Sequence, residues 1–207
     1  MPETNSLVIA VLGVGSIGGT LARAWMAAGH TFRLGVRAPG KPEVVALAAT
    51  VQSFADAATS ADVVVLALPG GAVIEVLPQL GLALDGVLVI DAANSLGGAG
   101  PLNHHDAVRA AAPNAVYARA FNTLGWENFA EPTIAGEAID LFWAGADPAN
   151  TRGGALAERL IADVGLRPVW VGGDDAVATV DNLTALWFAL ALKQGRGRRL
   201  AFRLLTP

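Results

Sequence analysis

The apolar run Leu7 to Leu12 leads straight into Gly13-x-Gly15-x-x-Gly18, and no other stretch limits the possible folds as much. With 24 glycines in 207 residues the spacing alone could arise by chance, so its surroundings carry the argument. An unbroken apolar run suits a strand covered on both faces. A helix is expected from about Ile17 to Ala28, with Ile17, Leu21, Ala24 and Ala28 on one face and Gly29 as its left-handed cap. Strand, glycine turn and helix open a βαβ unit, the context in which this spacing binds a dinucleotide. Gly13 permits the turn, Gly15 admits a pyrophosphate close to the backbone, and Gly18 lets the helix approach the strand. Val14, Ser16 and Ile17 complete the loop, and the helix start offers free N–H groups to the anion.

The rest of the chain repeats the alternation. Strands are expected at 31–36, near 51, at 62–68, 87–91, 116–120, around 141–144 and at 167–171. Pro69-Gly70-Gly71 closes the 62–68 strand, and helices are expected at 43–49, near 55, after that turn to about 80, and at 106–111, 150–164 and 176–193. Pro39, Gly40 and Pro42 mark a loop. This is the pattern of an α/β fold, a Rossmann-type, doubly wound, mostly parallel sheet with a C-terminal helical appendage. The expected division is 1–175 for a dinucleotide-binding domain and 176–207 for a helix and basic tail.

The end of the second strand selects the dinucleotide. An NAD site places an acidic residue there to hold the ribose 2′-hydroxyl. Here the segment reads RLGVRAPGKPE, with Val36, Arg37 and then Lys41. A guanidinium can take a 2′-phosphate through two hydrogen bonds, so NADP(H) is expected, while a solvated surface arginine is the bland alternative. Arg33 falls within the strand. Ligands in such folds bind outside the strand C-termini, where Leu68-Pro69, Ala93-Asn94 and Asn122-Thr123-Leu124 all lie. Turn chemistry alone would also favour Asn and Gly at such ends.

The segments GVGSIGGTLARAWMAAGH, GVRAPGK, DVVVLALPGGAV, VIDAANSL, ARAFNTLG and LWFALALKQGRGRRLAFRLL occur in the order found in NADPH-dependent coenzyme F420 reductases and related dinucleotide-binding reductases, and the chain resembles that family over most of its length. The resemblance implies hydride transfer between NADP(H) and coenzyme F420 or a flavin and is in keeping with a homodimer; a cytoplasmic location is expected, which the lack of cysteine fits. It places the cofactor on Gly13, Val14, Gly15, Ser16, Ile17, Gly18, Val36, Arg37, Lys41, Leu68, Pro69, Ala93 and Asn94. The acceptor falls on Pro69, Asn94, Asn122, Thr123 and Leu124. Two positions depart from the family: Val36 replaces a small polar residue beside the arginine, and Asn122 stands where a histidine faces the deazaflavin.

Other classes of function find little support. A net charge of −4 gives no case for nucleic acid, and the lack of cysteine excludes disulfides and thiolate ligands. No metal cluster is evident. No targeting segment is expected, and the apolar stretch 183–192 is half a membrane span. His104 and His105 read as a solvated loop and Asp174-Asp175 as a helix start, while Trp126 could line a site. Without an evident acid–base group, direct hydride transfer between two stacked rings is the first expectation. Reduction of a small imine or ketone, or a non-catalytic NADP(H) sensor, are the rivals. Residues 176–207, rich in Leu, Trp and Phe, are expected to build the dimer and close the acceptor site.

Overall fold

The computed structural model describes residues 6–38, 40, 42–45, 47, 49–98 and 100–207. Lys41 and Pro39 therefore lie outside the described residues. Ten strands are present among them: β1 Val8–Leu12, β2 Thr31–Gly35, β3 Thr50–Gln52, β4 Val63–Leu66, β5 Leu88–Asp91, β6 Val116–Arg119, β7 Thr133–Ile134, β8 Glu137–Ala138, β9 Asp140–Gly145 and β10 Arg167–Trp170. The α-helices are α1 Ser16–Ala27, α2 Pro42–Val45, α3 Phe54–Ala58, α4 Gly70–Leu80, α5 His105–Ala111, α6 Glu127–Ala130, α7 Arg152–Asp163 and α8 Val177–Phe188.

Eight strands form one sheet in the order β3-β2-β1-β4-β5-β6-β9-β10. The first six are parallel and follow the Rossmann order, which reverses direction at β1 and β4. The pair β9–β10 is parallel within itself but joins β6 antiparallel. The chain thus has the expected α/β class. β7 and β8 form a small antiparallel hairpin, which the sequence pattern did not suggest because each strand is only two residues long.

Both faces of the sheet are covered, which explains why β1, β4 and β5 read as nearly unbroken apolar runs. Trp25 of α1, Leu160 and Ile161 of α7 and Trp143 of β9 fill one core. Trp25 Nε1 donates to the Leu160 carbonyl at 2.9 Å, joining the two helices. Phe54, Val73, Leu77, Val108 and Tyr117 fill the other.

The C-terminal segment is packed into this body. Val177 and Val180 at the start of α8 belong to the second core, and Trp187 near its end belongs to the first, so the helix crosses the end of the sheet. A π-helical turn, Ala189–Lys193, continues it. The tail then returns along α6, where Trp187 Nε1 donates to the Leu200 carbonyl at 2.8 Å and Asn128 Nδ2 to that of Arg198 at 2.9 Å. Asp174–Lys193, a 20-residue stretch holding an 18-residue window of mean hydropathy 1.3, is long and apolar enough to cross a membrane by length and composition alone. It thus exceeds the half-span read from the apolar letters of 183–192. In this fold Val177, Val180, Asp181, Thr184 and Trp187 are buried against the sheet.

Candidate functional site

Gly13 has φ +96°, a conformation that favours glycine, and a Cβ there would come within 2.6 Å of the Ala67 carbonyl oxygen. Its N–H donates to the Gly35 carbonyl at 3.0 Å, so the loop bridges the ends of β2 and β4. A Cβ on Gly18 would sit 2.0 Å from the Gly13 oxygen, which is the close helix approach the spacing implied. Gly15 differs: a Cβ there would meet nothing within 4 Å, and the residue is exposed at the start of α1. The helix start has no side-chain cap, so its first N–H groups are left without one, as an anion site requires.

A cleft of about 300 Å³ brings together Gly13, Val14, Gly15, Val36, Arg37, Leu68 and Pro69. These are the cofactor positions expected at the ends of β1, β2 and β4. Arg37 is exposed, and among the described residues no acidic group pairs with it. Ser16 lines a second cavity of about 360 Å³ on the other side of the loop, with Thr20, Arg23 and Trp126. Trp126, at 36% exposure, borders this side.

The expected acceptor residues lie differently. Phe121 has φ +63°, unusual for a bulky residue, and is held by edge-to-face contacts with Trp25 and Phe129 at 5.7 and 5.5 Å. That turn carries Asn122, Thr123 and Leu124 beneath α8, where each is no more than 5% exposed. Asn122 Nδ2 donates to Thr184 Oγ1 at 2.8 Å, so its amide serves the α8 contact rather than an open cleft. Ala93 is buried, and Asn94 Oδ1 accepts from Arg119 Nη2 at 2.6 Å.

Behind these strand ends lies a buried polar network that sequence reading missed. Asp91, at the last position of β5, is fully buried; it accepts from the His104 backbone N–H at 2.7 Å and from Tyr117 Oη at 2.8 Å. Burial pushes its carboxyl pKa up, but the Arg119 guanidinium and the His104 hydrogen bonds outweigh this and hold it below the usual carboxylate value. Burial, together with the Asp91 charge, pushes the Tyr117 phenol well above its ordinary range. Arg119 is also fully buried. It donates to Asp181 Oδ1 at 2.9 Å and to the Asp91 and Ala93 carbonyls.

His104, far from being solvated, is 3% exposed. Its Nδ1 lies 3.2 Å from both Asp91 oxygens, and its Nε2 lies 2.9 Å from Ser95 Oγ and 3.2 Å from the Gly70 carbonyl oxygen. His105, by contrast, faces Asp174 from the surface at 3.0 Å. The available signal was charge within apolar runs: Asp91 ends VLVID and Arg119 interrupts VYARA, and a buried charge needs a partner.

Residues 8–95, from β1 to the loop after β5, match the family described as NADP oxidoreductase coenzyme F420-dependent. No protein in the curated set matches the chain. Among solved structures, a candidate F420-dependent NADP-reductase from Arthrobacter sp. FB24 superposes at TM-score 0.83 with 24% identity, covering 97% of this chain and 100% of the other. A hypothetical protein from Sinorhizobium meliloti gives 0.68 and 24%, covering 99% and 98%. A reductive aminase from Aspergillus terreus, in complex with NADPH and ethyl-5-oxohexanoate, gives 0.65 and 18%; the match covers 92% of this chain and 64% of the aminase. At these identities the structural likenesses establish the Rossmann-like fold. The family match supports NADP(H) as the cofactor.

Proposed function

We propose that the protein is an NADPH-dependent reductase passing hydride to a planar ring of the F420 or flavin type. The observation that carries this reading is the exposed Arg37 in the same cleft as Gly13, Gly15 and Pro69. The open space at Gly15 fits a pyrophosphate there, and Arg37 fits the 2′-phosphate of NADP(H). With the pyrophosphate at α1 and the 2′-phosphate at β2, the nicotinamide end falls toward β4 and β5, beside Pro69 and Asn94. When bound, the dinucleotide supplies the hydride. The protein's share is to hold the ring at the strand ends and to keep water away.

The acceptor would lie at the same strand ends, walled by the Pro69 and Asn94 loops. Asn122, Thr123 and Leu124 support that wall from beneath through α8. One observation favours a second reading, reduction of a small imine or ketone: the chain from half-buried Ser95 through buried His104 to Asp91 is the kind of group such a substrate needs to gain a proton. NADPH oxidation assayed against F420, FMN, FAD, riboflavin and cyclic imines separates the two. Tight NADPH binding with no turnover of any acceptor would instead leave an NADP(H) sensor.

A homodimer belongs to the same proposal. Phe142, Val169, Trp170, Leu183 and Leu186 line an apolar cavity of about 510 Å³ beside the edge strand β10, with Trp170 37% and Leu186 47% exposed. A second copy covering this face would hide both the apolar area and the strand edge. Light scattering at micromolar concentration should show a dimer, and Leu186→Glu should shift it toward monomer.

A further inference from the structure

Reduction of a flavin, a deazaflavin or an imine by a dihydronicotinamide adds a hydride to one atom and a proton to a nitrogen, so a proton source belongs near the ring. Ser95 follows Asn94 directly at the end of β5. A Cβ on Gly70 would lie 2.6 Å from Ser95 Oγ, and Gly70 is the neighbour of Pro69, which lines the cofactor cleft. The Ser95 hydroxyl therefore stands behind the Pro69–Gly70 segment of the cleft wall, at the end where the reading above puts the nicotinamide.

Its partners fix a direction for the proton. Asp91 is ionised and faces His104 Nδ1 at 3.2 Å, so Nδ1 carries a hydrogen and donates to it. In the neutral ring Nε2 is then an acceptor, filled by the Ser95 hydroxyl at 2.9 Å. In the imidazolium, Nε2–H donates toward Ser95 Oγ and the Gly70 carbonyl oxygen, 3.2 Å away. Both states satisfy the ring without moving it. The charged and titratable groups around it are Asp91 on β5, Tyr117 and Arg119 on β6, Asp181 on α8, and His105 and Asp106 on α5. A cavity of about 360 Å³, lined by Ile74, Ser95, Pro101, Asn103, His104 and Asp106, opens onto both Ser95 and His104 and gives water access to them.

We propose that Ser95 is the proton donor to the hydride acceptor and that His104, oriented by Asp91, acts through it. This rests on the reductase reading above. In the step, Ser95 Oγ–H passes its proton to the acceptor nitrogen as the hydride arrives. The Ser95 oxygen regains a proton from His104 Nε2, and Nε2 is reprotonated from water in the cavity. Asp91 remains ionised throughout.

The test uses whichever of F420, FMN and 2-methyl-1-pyrroline the wild-type protein reduces. Ser95→Ala should lower kcat about 100-fold, within the range of a lost general acid, and leave the NADPH Kd within about twofold. Ser95→Thr should restore most of the rate. His104→Gln should flatten the pH profile of kcat, and its melting curve checks that it folds. Independently of turnover, nitrogen-15 spectra of a protein with only three histidines should show His104 as the Nδ1–H tautomer when neutral. Unchanged kcat in Ser95→Ala, or an Nε2–H tautomer, would overturn the donor while leaving the reductase reading intact. A wild-type protein that reduces none of the three acceptors removes the reading and the donor together.

Discussion

Arg119 Nε donates to Asp181 Oδ1 at 2.9 Å, so a buried ion pair fastens the last parallel strand, β6, to helix α8. Asp181 also accepts from the Asn103 backbone N–H at 3.1 Å and from Asn103 Nδ2 at 2.7 Å, and Asn122 reaches the same helix through Thr184. One carboxylate thus gathers the ends of β5 and β6 under α8. Asp181→Leu would leave the fully buried Arg119 with Asp91 as its remaining carboxylate among the described residues, beside the Asn94 amide and two backbone carbonyls. Removing one member of a buried pair typically costs 3–5 kcal/mol; because Asp91 remains, the expected loss is about 3 kcal/mol in urea unfolding. A loss below about 1 kcal/mol would mean that α8 docks by its apolar residues alone.

The same network sets the acid limit of the fold. Asp91 has a folded-state pKa below its unfolded value, so its contribution to stability is fully present above the unfolded value of about 3.9. It is lost as pH falls from there through the folded value. Stability should therefore be flat from about pH 7 to 5 as far as Asp91 is concerned, and fall below about pH 4. Tyr117 sets the opposite limit. Its raised pKa keeps the folded phenol protonated while the unfolded one ionises above about pH 10, so stability falls as pH rises past that point. Urea midpoints measured across pH test both limbs, and Tyr117→Phe should remove the alkaline one.

These features bear on how much could be read from the letters. β1, β4, β5 and the glycine turn were legible because each is encoded locally: an apolar run, a φ that favours glycine, and a helix start. The place of Arg37 beside the glycine loop is legible for the same reason, since it lies at a fixed distance after Gly18 in a βαβ unit. The place of Asn122 at a strand end is legible, but its burial against Thr184 of α8 is not. Its loop turns on Phe121 at positive φ, and nothing in FNTLG announces that. His104 was misplaced because its burial depends on Asp91, 13 residues earlier, and on Gly70 in another loop. Polar letters look solvated until the topology brings their partners together.

Arg37 offers the most direct test of cofactor choice. It is exposed and lines the cleft, and no acidic residue stands at the end of β2 to take a ribose hydroxyl instead. Arg37→Ala should weaken NADPH by about 1.5–3 kcal/mol, the worth of a hydrogen bond to a charged group, and change NADH little. Val36 contributes no hydrogen bond of its own, so the preference for NADPH should be moderate. Fluorescence titration with both dinucleotides measures the difference, and equal losses for the two would assign Arg37 to the solvated surface.

Gly15 and Gly18 separate binding from folding. At Gly18 an added methyl would lie 2.0 Å from the Gly13 carbonyl oxygen, which belongs to backbone and cannot swing aside. Gly18→Ala must therefore push α1 away from the loop, and overpacking of this kind costs about 1–3 kcal/mol. At Gly15 the same methyl meets no protein atom within 4 Å, and φ −84° with ψ −163° suits alanine. Gly15→Ala should melt like the wild type. Yet it places a methyl where the backbone must come close to a pyrophosphate, so NADPH affinity should fall at least tenfold, about 1.4 kcal/mol. Thermal melts with and without NADPH distinguish the two effects: Gly18→Ala lowers the melting temperature of the free protein, whereas Gly15→Ala loses only the increment that NADPH adds. Full retention of that increment in Gly15→Ala would mean that the open space at the start of α1 is not where the phosphates sit.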